Sequence, residues 1–262
     1  MFEWWRQRRR EQILQNPFPD DWRAIVASNV GHFAFLDADE RKLLEDLSQV
    51  FVEEKEFEGC GGLDLTDEIQ VTIAANACLL LLGLSHDMYR RVGSILVYPS
   101  AVHQPERPRS VFDNTVEVVP GQVALAGEAH YRGPVVLVWD AARRGSRNPR
   151  SGQNVVFHEF AHKLDMLDGA VDGTPPLRGS EQLKRWAEVC SKAYLTLRAE
   201  SERGGDSFMD AYGAVSEAEF FAVATEAFFE QPHRLRQSQP DLYEVLASFY
   251  RQDTASRMPR RS

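Results

Sequence analysis

The chain predicts an α+β fold, mostly helical, with a small β-sheet next to one apolar helix. Three observations predict it. Apolar residues recur at helical spacing over several long stretches, short apolar runs end at Pro or Gly, and one apolar segment carries His158-Glu159-Phe160-Ala161-His162. At 262 residues the chain is long enough for one domain with a full core. Its 43% hydrophobic and 26% charged content is that of a soluble globular protein.

Each element follows in chain order. Residues 1–20 read as a basic N-terminal arm, with Arg6, Arg8, Arg9 and Arg10 beside Trp4 and Trp5. A solvated terminal helix is the plain reading, and a membrane-surface or partner-binding arm is the alternative. Residues 39–54 place Leu43, Leu44, Leu47, Val50 and Phe51 at helical spacing after acidic start residues. Thr66 can cap a second helix, 67–83, apolar over most of its surface. Ser94 to Tyr98 reads as a strand ended by Pro99, followed by a charged, Pro-rich loop over 99–114. Residues 116–119 and 122–126 flank Pro120-Gly121 and predict a hairpin, and 134–139 a further strand. Arg143, Arg144, Arg147 and Arg150 fall in a Gly/Ser/Asn/Pro stretch that reads as a loop, either favouring acidic substrates or simply solvated. Helices are expected over 152–167, 179–201, from Ser216 to near Pro232, and over 239–252, before a flexible tail at 253–262.

Composition excludes some functions. A formal net charge of −9 argues against general nucleic-acid binding. No apolar core follows the N-terminal arginines, so no secretory signal is expected. The longest apolar run, Ala74 to Leu84, is too short to span a bilayer. Cys60, Cys78 and Cys190 are scattered and odd in number, as expected of reduced thiols in a cytoplasmic protein.

The pentapeptide carries the chemistry. Residues four apart on a helix rotate by about 400° and rise about 6 Å, so His158 and His162 share a face. Two such imidazoles can both reach one Zn²⁺ at about 2.0–2.1 Å. Glu159, rotated about 100° away, flanks the metal and can take a proton from water there. This is the HExxH arrangement of zinc-dependent peptidases, although such histidine pairs also arise by chance in helices.

A catalytic zinc needs a third protein ligand and one open position. The sequence offers three. Asp165 lies one turn beyond His162, and could instead support an imidazole N–H. Asp168 stands at the end of an HExxHxxGxxD-like spacing, but Asp165 occupies the place where Gly would permit the turn. Glu219 sits on a separate helix, where Ser216-x-x-Glu219 also has capping-box spacing. Glu219, Glu226 and Glu230 share a face with Ala222 and Val223, which is costly to bury unless positive groups lie opposite. Glu226 is then either a support for the metal ligands or simply exposed.

His158-Glu-Phe-Ala-His-Lys-Leu-Asp165, Asp210-Ala-Tyr212 and Glu217-Ala-Glu-Phe-Phe-Ala-Val223 together resemble the Mlc titration factor A family of peptidases. They also resemble the wider group containing the catalytic domain of anthrax lethal factor. Val97-Tyr98-Pro99 and Gly133 to Trp139 match as well, so the resemblance covers about residues 20–250. It implies a zincin-like metallopeptidase over residues 21–252, with one Zn²⁺ per chain held by His158, His162 and Glu219. Glu159 is then the general base and Tyr212 the electrophilic partner of the oxyanion. Some family members carry a further upstream His where Val119 stands here, so that ligand is not carried over, and His130 reads as an ordinary loop histidine. The resemblance further implies a peptide or protein substrate, aminopeptidase action and a transcriptional repressor controlling sugar uptake as partner. A non-catalytic, repressor-sequestering protein with a structural or vestigial zinc site is the alternative.

Overall fold

A computed structural model describes residues 2–100, 133–204 and 207–260. Eleven α-helices lie among the described residues, together with a three-stranded sheet. The expected hairpin at 116–119 and 122–126, the loop beyond 100, Val119 and His130 lie outside the described residues.

The sheet joins β1 (Glu56–Gly59), β2 (Ser94–Tyr98) and β3 (Val135–Val138) in that order, all parallel. Phe57 pairs with Ile95, and Leu96 with Val136. Parallel neighbours need long crossovers, and α4 (Asp67–Leu79) lies within the connection from β1 to β2. β1 has no strand signature in the sequence, because Glu-Phe-Glu-Gly is short and half acidic. β2 keeps the expected bounds, and β3 is one residue shorter than expected at each end.

The helices follow their end signals. Asp37 and Glu40 form a reciprocal capping box that starts α3 (Ala38–Glu54). Thr66 accepts the Ile69 N–H and starts α4, whose residues from Val71 to Leu79 are all buried. Asn154 accepts the Val156 and Phe157 N–H groups, so α6 (Val155–Asp165) begins three residues later than expected. Phe160 on α6 packs against Phe51 of α3 and Tyr89, with ring centroids 5.6 and 4.9 Å away. Phe157 meets Phe229 of α8 (Glu217–Glu230) at 5.2 Å. Aromatic packing thus presses α6 between α3 and α8.

Two segments differ from the sequence reading. Arg143, Arg144 and Arg147 sit on a helix, α5 (Trp139–Arg147), and not in a loop. Gly145 suggested a loop, but it serves a close approach: a Cβ there would meet Asn154 Cα and Gln153 O at 3.1 Å. Arg147 Nε donates to Asn29 Oδ1 at 2.9 Å, and Arg143 lies 3.4 Å from Glu68, so both are occupied by α2 (Asp20–Asn29) and α4. At the other end, residues 253–258 belong to the segment expected to be a flexible tail. Thr254, Ala255 and Met258 are instead buried, and Thr254 Oγ1 donates to Phe228 O at 2.7 Å. Apolar side chains near a terminus give no local sign of what they pack on.

The N-terminal arm forms α1 (Phe2–Ile13). Arg10 ties it down, donating to Glu54 at 2.8 Å and to Asp87 at 2.9 Å, while Trp4 and Trp5 remain exposed. No helix among the described residues is long and apolar enough to cross a membrane. Beneath Arg10 lies His86, buried, with neither ring nitrogen hydrogen-bonded to a described residue. Burial, followed by the Arg10 charge, pushes its pKa down to about 4, against the pull of Glu54. The unfolded chain takes up a proton below about pH 6.5 that the folded chain refuses. Stability should therefore fall as pH drops from about 6.5 towards 4, by at most about 1.4 kcal/mol per pH unit. Urea titrations of wild type and His86→Asn across that range check this: the variant's slope should be shallower, and identical slopes would refute it.

Candidate metal centre

Two helices build the site. α6 presents His158 and His162 one turn apart, and α8 crosses it to present Glu219. His158 Nε2 lies 3.0 Å from Glu219 Oε2, His162 Nε2 lies 3.4 Å from the same oxygen, and the two Nε2 atoms are 3.3 Å apart. A tetrahedral ion with bonds of 2.0–2.1 Å has ligand atoms about 3.3 Å apart, which this triangle matches. Two imidazole nitrogens and a carboxylate oxygen are also a zinc donor set. Among the described residues, this is the one group of His, Cys, Asp or Glu side chains that converges as a cation site.

The capping reading of Glu219 is half right. Ser216 Oγ accepts the Glu219 N–H at 3.2 Å, so the helix start is capped. The Glu219 carboxylate does not return the bond but turns to the two imidazoles. Its exposure is only 2%. Burial raises its pKa, and the hydrogen bonds from His158 and His162 more than reverse that, down to about 2. On His158, burial opposes the charged ring, but Glu219 and Glu226 overcome it and lift the pKa to about 10.

The acidic stripe on α8 has its expected counterparts. Glu226 Oε2 lies 3.1 Å from His158 Nδ1, and Glu230 Oε1 lies 3.0 Å from His32 Nε2. Glu226 thus supports the His158 ring. Neither Asp165 nor Asp168 joins the converging group. Asp165 is buried and accepts the Gly173 N–H at 3.1 Å, and burial raises its pKa to about 6. Gly173 has φ of +73°, and a Cβ there would meet Glu217 O at 2.3 Å, so this bond fixes the loop after α6 against the start of α8. Exposed Asp168 accepts the N–H of Ala170 in a local turn.

Glu159 is half-buried beside the triangle, and its charge acts on His158, Lys163 and Tyr212. Tyr212 lies on a 3₁₀ turn, Ala211–Ala214, which Asp210 starts by accepting the Tyr212 N–H at 2.9 Å. Asp210 also accepts from Gln153 Nε2 at 3.0 Å, which joins this turn to the chain entering α6. The Tyr212 ring centroid is 6.0 Å from that of His158. Burial, then the charges of Glu219 and Glu159, push its phenol up to about 12, so it keeps its proton near neutrality. All five residues singled out in the sequence therefore meet in one place. Sequence reasoning passed over Asn154 and Lys163. Asn154, just before the apolar run, carries an N-cap signal. Lys163 Nζ donates to Gly133 O at 2.9 Å and ties α6 to the entry of β3, a contact with no local signature.

A family model described as glucose-regulated metallo-peptidase M90 matches residues 2–251. An uncharacterized protein of Synechocystis sp. is 38% identical over 249 residues, covering 94% of this chain and 89% of its own length. Mlc titration factor A of Serratia proteamaculans is 32% identical over 228 residues, covering 86% of this chain and 85% of its own. The protein of that name in Yersinia pestis is 32% identical over 237 residues, covering 89% and 86%.

The donor geometry separates Glu219 from Asp168 by experiment. Glu219→Ala should weaken zinc binding by more than the roughly 10–100-fold that loss of an outer partner costs. Asp168→Asn should leave affinity unchanged. Chelator competition measures both, and tight zinc binding by Glu219→Ala would overturn the ligand assignment.

Proposed function

This chain belongs to the glucose-regulated metallopeptidase family M90, and from that premise we propose that it is a zinc-dependent peptidase of gluzincin type. One observation carries the reading: Nε2 of His158, Nε2 of His162 and Oε2 of Glu219 form a triangle of 3.0–3.4 Å, with Glu159 next along the same helix. A zinc ion held there would polarise the scissile carbonyl and lower the pKa of water.

The side chains do the rest. Glu159 accepts the proton of the attacking water and returns it to the leaving amine. Tyr212, which keeps its proton, donates a hydrogen bond to the oxyanion, an interaction made mainly in the transition state. β3 is the terminal strand of the described sheet and is tied to α6 through Lys163. An extended peptide pairing with it would lie beside the donor triangle.

Removal of an N-terminal residue is the finer activity we assign, in the cytoplasm. The relatives' name, Mlc titration factor, supports a second role, binding of a repressor of that class. If binding is the only role, no chelator-sensitive peptide cleavage is found. Glu159→Gln should keep its zinc and lose at least about 10²-fold in kcat, the size of a general acid–base contribution. Tyr212→Phe should lower kcat with KM little changed. Turnover of peptides by Glu159→Gln at the wild-type rate would remove Glu159 from the mechanism. Peptides N-methylated at single positions test the docking strand: at least one position should raise KM about tenfold, and no effect anywhere would remove β3 from the mechanism.

A further inference from the structure

Asn76 poses a question that packing does not answer. It lies on α4 between Ile73, Ala74, Ala75, Ala77 and Cys78, all fully buried, and is itself fully buried. An apolar side chain of that size would fill the space without the cost of desolvating an amide. Its two polar atoms are both used. Nδ2 donates to Thr72 O at 2.9 Å, and Oδ1 accepts from Asn154 Nδ2 at 3.2 Å.

Asn154 is equally buried and equally saturated. Its Oδ1 caps α6 through Val156 and Phe157, at 3.1 and 3.3 Å. Its backbone N–H donates to Glu226 Oε1 at 2.6 Å, and the other oxygen of Glu226 faces His158 Nδ1 at 3.1 Å. One carboxylate is therefore pinned at one end by the N-cap residue of α6 and at the other by a ring on its first turn. The helix N-terminus also favours negative charge there. With Nδ1 facing a fixed acceptor, the ring's remaining nitrogen points at Glu219 and His162.

We propose that Asn154 and Asn76 are positioning residues for the metal centre, acting through Glu226 to set the orientation of the His158 ring. Asn76 holds the Asn154 side chain, Asn154 holds Glu226, and Glu226 holds the ring. Cap and ring support are thus one hydrogen-bonded unit, in which no member has spare freedom. The inference rests on His158 being a metal ligand, and it adds residues that neither the HExxH pattern nor the donor triangle includes.

Zinc affinity by chelator competition, and the visible spectrum of the Co²⁺-substituted protein, test it in the full-length chain. Asn154→Ser keeps a capping oxygen but loses the amide that reaches Asn76. Asn76→Leu leaves the cap untouched and removes the acceptor. Each should bind zinc about 3–10-fold more weakly and shift the Co²⁺ bands, while Glu226→Gln should lose about 10–100-fold. The double variant Asn154→Ser/Asn76→Leu should lose no more than the worse single variant, because both cut the same tether. Circular dichroism confirms folding, and if Asn154→Ser fails to fold, Asn76→Leu decides alone. Wild-type affinity and an unchanged spectrum in a folded Asn76→Leu would overturn the proposal. Wild-type protein that takes up no zinc would overturn the metal reading itself, and the two failures are distinguishable.

Discussion

Everything at this site depends on one carboxylate reaching across from α8 to two imidazoles of α6. Glu219 Oε2 stands 3.0 and 3.4 Å from the two Nε2 atoms, at 2% exposure. A buried polar atom without a partner costs about 1–3 kcal/mol, and more if charged. Three heteroatoms cannot converge in such a place by indifference. They either hold a cation or share a proton, and the rest of the core is arranged to keep them together. Phe157 and Phe160 press α6 against its neighbours, and Ser216 starts α8 where Glu219 faces inward.

α8 extends the same logic along its length. It is buried from Ala218 to its end, yet that stretch carries Glu219, Glu226 and Glu230. Each acid meets a histidine: His158 and His162, then His158 from its other side, then His32. Ser151 adds a hydrogen bond to Glu230 at 3.2 Å, so the chain entering α6 is held by both Glu226 and Glu230. The helix that supplies the third donor also supports the His158 ring and fixes the approach to its own partner helix.

The alternatives fail for geometric reasons. Asp165 shares the helical face expected of it, but its carboxylate is engaged by Gly173, whose left-handed conformation brings the following loop onto the start of α8. Of the basic cluster before α6, Arg147 is spent on Asn29, Arg143 on Glu68 and Arg150 on Pro259 O. Charge in the sequence says where a group falls along the chain, not which neighbour neutralises it.

The sequence by itself determined the local parts of this protein. A helical repeat of 3.6 residues put His158 and His162 on one face, capping residues Thr66 and Ser216 started their helices, and Ser94 to Tyr98 announced a strand. The periodic acids of α8 required partners, though nothing local said which. Only the tertiary structure decided that Glu219, not Asp165 or Asp168, completes the triangle, because the choice depends on how two helices 61 residues apart cross. The parallel order β1-β2-β3, helix α5 and the packed segment 253–258 likewise came from contacts between distant residues. So did the link from Asn76 to Asn154, 78 residues apart. Short-range patterns record backbone conformation and burial, whereas pairing across the core is set by the joint packing of elements, which no single segment contains.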